Sequence, residues 1–320
     1  GAGGIAEGVP ESLRDATLPK FRDDGLLVVH AGGRAGLFSA IIGGWANGDA
    51  AFVGPNPPGD AVITYYLKKR HIFGDMKIEV FDRDGRLMGT VPTSKRRGLS
   101  RVTWSMRLAP PRVPPAASAA FGAAFGPRVL PGPYTVRMTK DKDVYSTELQ
   151  VVADPRSTHT LEDRRAGFDL AMKLSGILGD MTFAVDRMNG VRQALEDRAA
   201  KLPARDGLAA RLRAASATVD ALRRRIVATK EGGMITGEER LREHLADLYG
   251  NVASYDGRPS QAQVERTDAL ARELGDVVKE FDAWAAGEFG RLNTALTRKQ
   301  QEPIALLTRE QWEAQAAAKP

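Results

Sequence analysis

The chain has 320 residues, of which 42% are apolar and 27% charged, with 46 Lys and Arg against 40 Asp and Glu, a formal net charge of +6. That balance describes a folded chain of about two domains and excludes wholesale disorder. The absence of cysteine removes disulfides, thiolate metal sites and a cysteine nucleophile, and no stretch approaches the roughly 18 to 20 apolar residues of a membrane-spanning helix.

Residues 1–56 carry 4 basic and 6 acidic side chains. The opening Gly1-Ala2-Gly3-Gly4 has neither the basic nor the apolar region of a secretory signal. Leu26-Leu27-Val28-Val29 is an apolar run followed by Gly32-Gly33-Arg34-Ala35-Gly36, but that glycine spacing does not fit a dinucleotide-binding turn and no crossover helix follows. This part is expected to be an N-terminal extension.

Residues 57–153 predict a small antiparallel β-sandwich. Ala61 to Leu67 is a β-rich run. In Lys77 to Asp82, Ile78 and Val80 alternate with charged neighbours, so one face is buried and the other wet. Asp82-Arg83-Asp84-Gly85 is a tight turn in which glycine supplies the positive φ, and Arg86 to Thr90 returns. Ser100 to Met106, Pro133 to Met138 and Tyr145 to Val152 follow, giving about six or seven strands, enough for two packed sheets. Between them, Ala109-Pro110-Pro111-Arg112-Val113-Pro114-Pro115 and an Ala/Gly/Phe stretch through Phe125 form a long excursion, because proline denies sheet hydrogen bonds. Phe121 and Phe125 are expected to pack back onto the sandwich.

Residues 154–302 predict a long antiparallel three-helix, coiled-coil-like bundle. Thr160 and Asp163 form a capping box before Leu170, Leu174, Ile177, Met181, Ala184, Met188, Val191 and Leu195, a seam stepping alternately by four and three. A second arm carries Leu208, Leu212, Ala215, Val219, Leu222 and Ile226, breaks at Glu231-Gly232-Gly233 and resumes after a Thr236 to Glu239 box. Tyr255-Asp256-Gly257-Arg258-Pro259 then leads to a Ser260 to Gln263 box and a third arm from Leu270 through Phe281, Trp284 and Phe289 to Leu296. Arms of about 40 residues run on the order of 60 Å, and the short connectors demand antiparallel neighbours. Arg223-Arg224-Arg225 reads as a solvated flank. Residues 303–320 predict a short terminal helix started by Thr308 and Gln311, then a fraying tail.

The positive excess belongs to residues 57–153, with 16 basic and 8 acidic side chains, whereas residues 154–320 balance at 26 and 26. Lys68, Lys69, Arg70, Lys95, Arg96, Arg97 and Arg101 are the candidate binding residues, for an anionic partner. Nucleic acid is excluded, because no interleaved aromatic residues or groove-reading motif accompany them. Other chemistry is sparse. His30, His71, His159 and His244 are scattered, with His71 and Asp75 the one candidate dyad, and Phe81 to Gly85 lacks the further oxygen ligands of a calcium loop. No nucleophile elbow or phosphate loop occurs. No catalytic residue, metal site or cofactor is expected.

Gly54-Pro55-Asn56-Pro57-Pro58-Gly59-Asp60, Lys95-Arg96-Arg97-Gly98-Leu99-Ser100-Arg101-Val102-Thr103-Trp104 and Leu130-Pro131-Gly132-Pro133-Tyr134-Thr135-Val136, in this order, resemble the C-terminal region of bacterial exported proteins with sortilin-like (BNR-repeat) β-propellers, often labelled glycosyl hydrolases. The helical Leu248-Tyr249-Gly250 and Asp256-Gly257-Arg258-Pro259 extend that likeness over about residues 54–300. Asp82 to Arg86, Val102-Thr103-Trp104 and Pro131-Gly132-Pro133-Tyr134 also resemble the Ig-like module of the flagellar hook-capping protein. The resemblance implies an α+β multidomain chain with an Ig-like or fibronectin-like sandwich, a periplasmic or secreted location, and a propeller of which residues 1–56 are an extension or remnant. It carries over no catalytic residue. The expected function is a non-catalytic accessory scaffold that docks to a protein partner or to the propeller itself. The alternatives are a module binding an anionic polysaccharide or envelope membrane surface, and a carbohydrate-active enzyme fragment.

Overall fold

The computed structural model describes residues 25–29 (as backbone), 59–203, 205–230 and 237–317. It is mixed α+β, with two antiparallel sheets followed by helices. The chain divides into two compact units. One takes the chain up to Leu108 together with Arg128–Thr158, and the other takes Ala109–Pro127 with everything from His159 onward.

In the first unit, strands β1 (Gly25–Val29), β2 (Ala61–Leu67) and β5 (Gly98–Trp104) form a sheet ordered β1-β2-β5. Strands β3 (Met76–Phe81), β4 (Leu87–Val91), β6 (Gly132–Lys140) and β7 (Asp143–Val151) form a second, ordered β4-β3-β6-β7. Alternation sets the faces: Met76, Ile78 and Val80 are buried while Lys77 is exposed. Side chains from both sheets, among them Ile63, Tyr65, Ile78, Val80, Val136 and Met138, share one apolar core. The Leu26–Val29 run is a strand, paired Val29 to Val62 through Gly25 to Tyr66. The rest of residues 1–56, read as an extension or propeller remnant, lies outside the described residues, as do the Glu231-Gly232-Gly233 break and Thr236.

The turn at Asp82 forms as its sequence predicts. The Asp84 and Arg86 amides each donate to Asp82 Oδ1 over 2.9 Å, and Gly85 takes φ of 75°. Partial burial alone would raise the Asp82 carboxyl, but these amides and the Arg86 guanidinium hold it below the ordinary value.

The proline-rich excursion departs from expectation. It belongs to the helical unit, and it buries Pro111, Pro114 and Ala123, whereas Phe121 and Phe125 are 69% and 44% exposed. Within the β unit, the segments that flank it pair, Arg107 bridging Arg128 and the Val129 amide donating to Met106 O. The reason lies in its backbone: proline leaves carbonyls without matching N–H donors, and those carbonyls need partners from elsewhere. Helix side chains supply them. Arg242 Nε donates to Pro114 O over 2.7 Å and its Nη1 to Ser118 O over 3.1 Å, while the Tyr249 hydroxyl donates to Phe125 O over 2.8 Å. Glu243 accepts from Arg242 at 2.7 Å and from the Ser118 hydroxyl at 2.6 Å, so this ion pair is paired on both sides although 4% and 8% exposed. A short 3-10 turn, Phe121–Ala123, lies against the helix Leu241–Ser254 (α3 below). A Cβ on Gly122 would sit 2.2 Å from Ala246 O, and one on Gly250 2.7 Å from Gly122 Cα, so this backbone-to-backbone approach requires glycine on both sides.

The helices are α1 (Leu161–Ala200), α2 (Gly207–Ile226), α3 (Leu241–Ser254), α4 (Gln261–Trp284), α5 (Gly290–Arg298) and α6 (Arg309–Ala317). The Thr160–Asp163, Ser260–Gln263 and Thr308–Gln311 caps all form. The α1 seam is wider than the sequence predicts: Leu178 and Val185 are fully buried beside Leu174, Met181 and Met188, because α1 packs against α2, α3 and α4. Between α4 and α5 a π-helical turn, Ala285–Phe289, inserts one residue, so the buried position after Phe281 is Phe289 and Glu288 stays exposed. The Arg223-Arg224-Arg225 flank is engaged in ion pairs, two with Asp220 and one with Glu280.

The connector before α4 clamps the start of α1. Arg258 Nε donates to Asp163 Oδ1 over 2.9 Å. With the Thr160 hydroxyl first, then Arg258 and the Thr160 amide, this holds the Asp163 carboxyl at about 2, against an ordinary 3.8.

Two outcomes follow. Arg242→Ala leaves the buried Glu243 carboxylate without its cation and takes the donor from two strap carbonyls, and should cost about 3 kcal/mol in urea unfolding, whereas Arg242→Met with Glu243→Leu should recover part of it. Asp163 favours its ionised form when folded, so its contribution is present above about pH 4 and is lost as pH falls toward about 2. Urea midpoints measured across that window should show Asp163→Asn to be less stable near neutrality but to lose less on acidification.

Candidate functional site

Strand pairing builds the site. Lys68-Lys69-Arg70 follow β2 and Lys95-Arg96-Arg97 precede β5. Because Leu67 pairs with Gly98 in the antiparallel register, the end of one strand meets the start of the other, and two triplets distant in sequence share one end of the sheet. All six side chains are exposed. Arg101 is not brought in: it pairs with Thr64, three rungs back, about 10 Å along β5 at ~3.4 Å per residue, though it too is exposed.

The two loops are stitched together. The His71 amide donates to Lys95 O over 2.9 Å, and Lys95 Nζ donates to Gly74 O over 2.7 Å. The buried Tyr65 ring carries its hydroxyl to Ser94, donating to Ser94 O over 2.8 Å and accepting from the Ser94 amide over 2.5 Å. Thr93 Oγ1 donates to Met76 O over 3.2 Å. The β6–β7 tip joins from the other sheet, the Asp141 amide donating to Asp75 O over 3.0 Å. Gly74 has φ of 88°, a conformation that favours glycine, and a Cβ there would fall 1.9 Å from Asp141 Oδ1 and displace that carboxylate.

His71 is 8% exposed, and its Nε2 stands 3.7 Å from Asp141 Oδ1. The carboxylate facing it is therefore Asp141, supplied by another strand pair, in place of the sequence neighbour Asp75. At the loop tip, Ile72 and Phe73 are 64% and 85% exposed. The basic triplets were legible in the sequence, whereas this apolar tip was missed. The available signal was two large apolar residues between a basic run and Gly74, outside any alternating pattern.

The remaining polar candidates are engaged elsewhere. Arg86 takes both Asp82 and Asp84. His159 packs edge-on to Tyr255, and His244 lies 3.8 Å from Glu239. Burial first, then the neighbouring Glu239 charge, raises the Asp247 carboxyl above its ordinary value. His30 lies outside the described residues. Among the described residues no three His, Asp or Glu side chains gather as metal ligands would, and no helix is long and apolar enough to cross a membrane. No family model, curated protein or solved structure matches the chain.

Tyr65→Phe tests how the loop is held. It keeps the core ring but strips Ser94 of both partners, so about 1 kcal/mol of stability should be lost. Amide hydrogen exchange should quicken at residues 94–97 while the β2–β5 ladder stays protected.

Proposed function

We propose that the chain is a non-catalytic docking region of an exported bacterial protein: an Ig-like β-sandwich presenting an adhesive loop end, carried with an antiparallel three-helix bundle that acts as spacer. The exposed Phe73 and Ile72 beside two basic triplets carry this reading. Exposed apolar and cationic groups together make a surface that gains free energy by being covered. The buried ionisable pair Arg242 and Glu243 supports it from the other side, since its bonding capacity is spent on the strap. The likeness to the tails of sortilin-like propeller proteins motivates the periplasmic or secreted setting and a covalently attached or separate protein as the load that is spaced.

The test uses the purified full chain. It should sediment with a washed bacterial envelope fraction, release with rising salt, and turn over neither oligosaccharide nor peptide substrates. Robust turnover by the chain alone, or no association with the envelope fraction, would sink the reading.

A further inference from the structure

We infer that the loop end formed by residues 68–75 and 94–97 docks on an anionic lipid bilayer, the basic triplets meeting headgroup phosphates while Ile72 and Phe73 enter the interfacial layer. This rests on the docking reading above and names the surface that is bound.

Charge supplies the first argument. Among the described residues, Lys68-Lys69-Arg70, Lys95-Arg96-Arg97 and Lys142 outnumber the acids at the same end, Asp75, Asp141 and Asp143, and Asp141 is turned toward His71. Lys95 Nζ spends one donor on Gly74 O and keeps two for an anion. A basic side chain at an anionic membrane surface strengthens binding about five-fold.

The apolar tip decides between anionic partners. A soluble polyanion offers negative charge with no apolar layer behind it, and the branched Ile72 has no flat face to stack on a sugar ring. A bilayer offers both, with the acyl boundary about 5 to 10 Å below the phosphates. Phe73 and Ile72 stand 85% and 64% exposed after the first triplet and the buried His71, so the order along the chain, cations then apolar tip, matches the order of layers in a leaflet.

Stiffness is the third argument. The tip is held by the His71 amide on Lys95 O, by Lys95 on Gly74 O and by the Asp141 contact that only glycine at position 74 permits. A preformed tip loses little conformational freedom on insertion, so the free energy of burying Phe73 appears in the affinity.

The experiment is co-sedimentation of the full chain with phosphatidylcholine vesicles, with the same vesicles containing phosphatidylglycerol, and in parallel with heparin as a soluble polyanion. Binding should require phosphatidylglycerol and fall with salt. Phe73→Ser should weaken vesicle binding about 10-fold and leave heparin binding unchanged. Lys95→Glu with Arg96→Glu and Arg97→Glu should weaken vesicle binding at least about 100-fold, and Lys68→Glu with Lys69→Glu and Arg70→Glu should do the same from the other loop. Thermal melts should be unaltered for Phe73→Ser, and Arg96→Glu with Arg97→Glu, which keeps the Lys95 bond to Gly74 O, should still weaken vesicle binding. Equal binding to both vesicle types, vesicle binding indifferent to Phe73→Ser, or heparin binding without vesicle binding would each overturn the inference. Envelope association that persists when vesicles are not bound retains the docking reading and rejects the bilayer alone.

Discussion

The helical unit depends on a strap that the sequence sets apart from its helices. Residues 109–127 sit between two β-strands in sequence, yet they complete the surface around the start of α3, where Arg242 and Glu243 are buried. A buried ion pair is stabilising only when its remaining hydrogen-bonding capacity is met, because desolvation otherwise exceeds the mutual attraction. Here Pro114 O, Ser118 O and the Ser118 hydroxyl meet it. The dependence runs both ways: the proline-rich strap has carbonyls in excess of donors, and the helices hold donors that would be orphaned without it. Since the chain crosses between units at 108–109, 127–128 and 158–159, neither unit is a continuous segment.

Glycine placement follows from the same constraint. Gly122 and Gly250 let strap and helix backbones meet directly, as two side chains could not. Ala117 donates from the strap to Ala228 O just beyond α2, so the strap lies beside the place where the second helical arm is interrupted.

At the other functional extreme, the loop end keeps groups that the fold does not consume. Its stitching joins backbone atoms to one another at His71 and Asp141 and to the side chains of Tyr65, Thr93 and Lys95 elsewhere. That division leaves Lys69, Arg70, Arg96 and Arg97 projecting, and holds Ile72 and Phe73 outward in spite of their apolar character. The proposed docking role and the local architecture share one cause: hydrogen bonds to backbone carbonyls and amides hold the loops, while Ile72 and Phe73 stay exposed at their tip.

Much of the local structure was determined by the sequence alone. A β-rich run marked Ala61–Leu67 as a strand, alternation over Lys77 to Asp82 marked the strand Met76–Phe81 with one buried and one wetter face, and capping boxes at Thr160 and Ser260 placed the starts of α1 and α4. These are interactions between residues a few positions apart, so their pattern survives in one dimension. The basic triplets were likewise legible as clusters, while their meeting came from the Leu67 to Gly98 register, which set Arg101 apart. Only the tertiary structure decided that Phe121 and Phe125 leave the β core, that α1 buries Leu178 and Val185 as well as its seam, and that Asp141 faces His71. Each depends on partners remote in sequence, such as Arg242 for Pro114, and composition and periodicity carry no record of which distant donor will find which carbonyl.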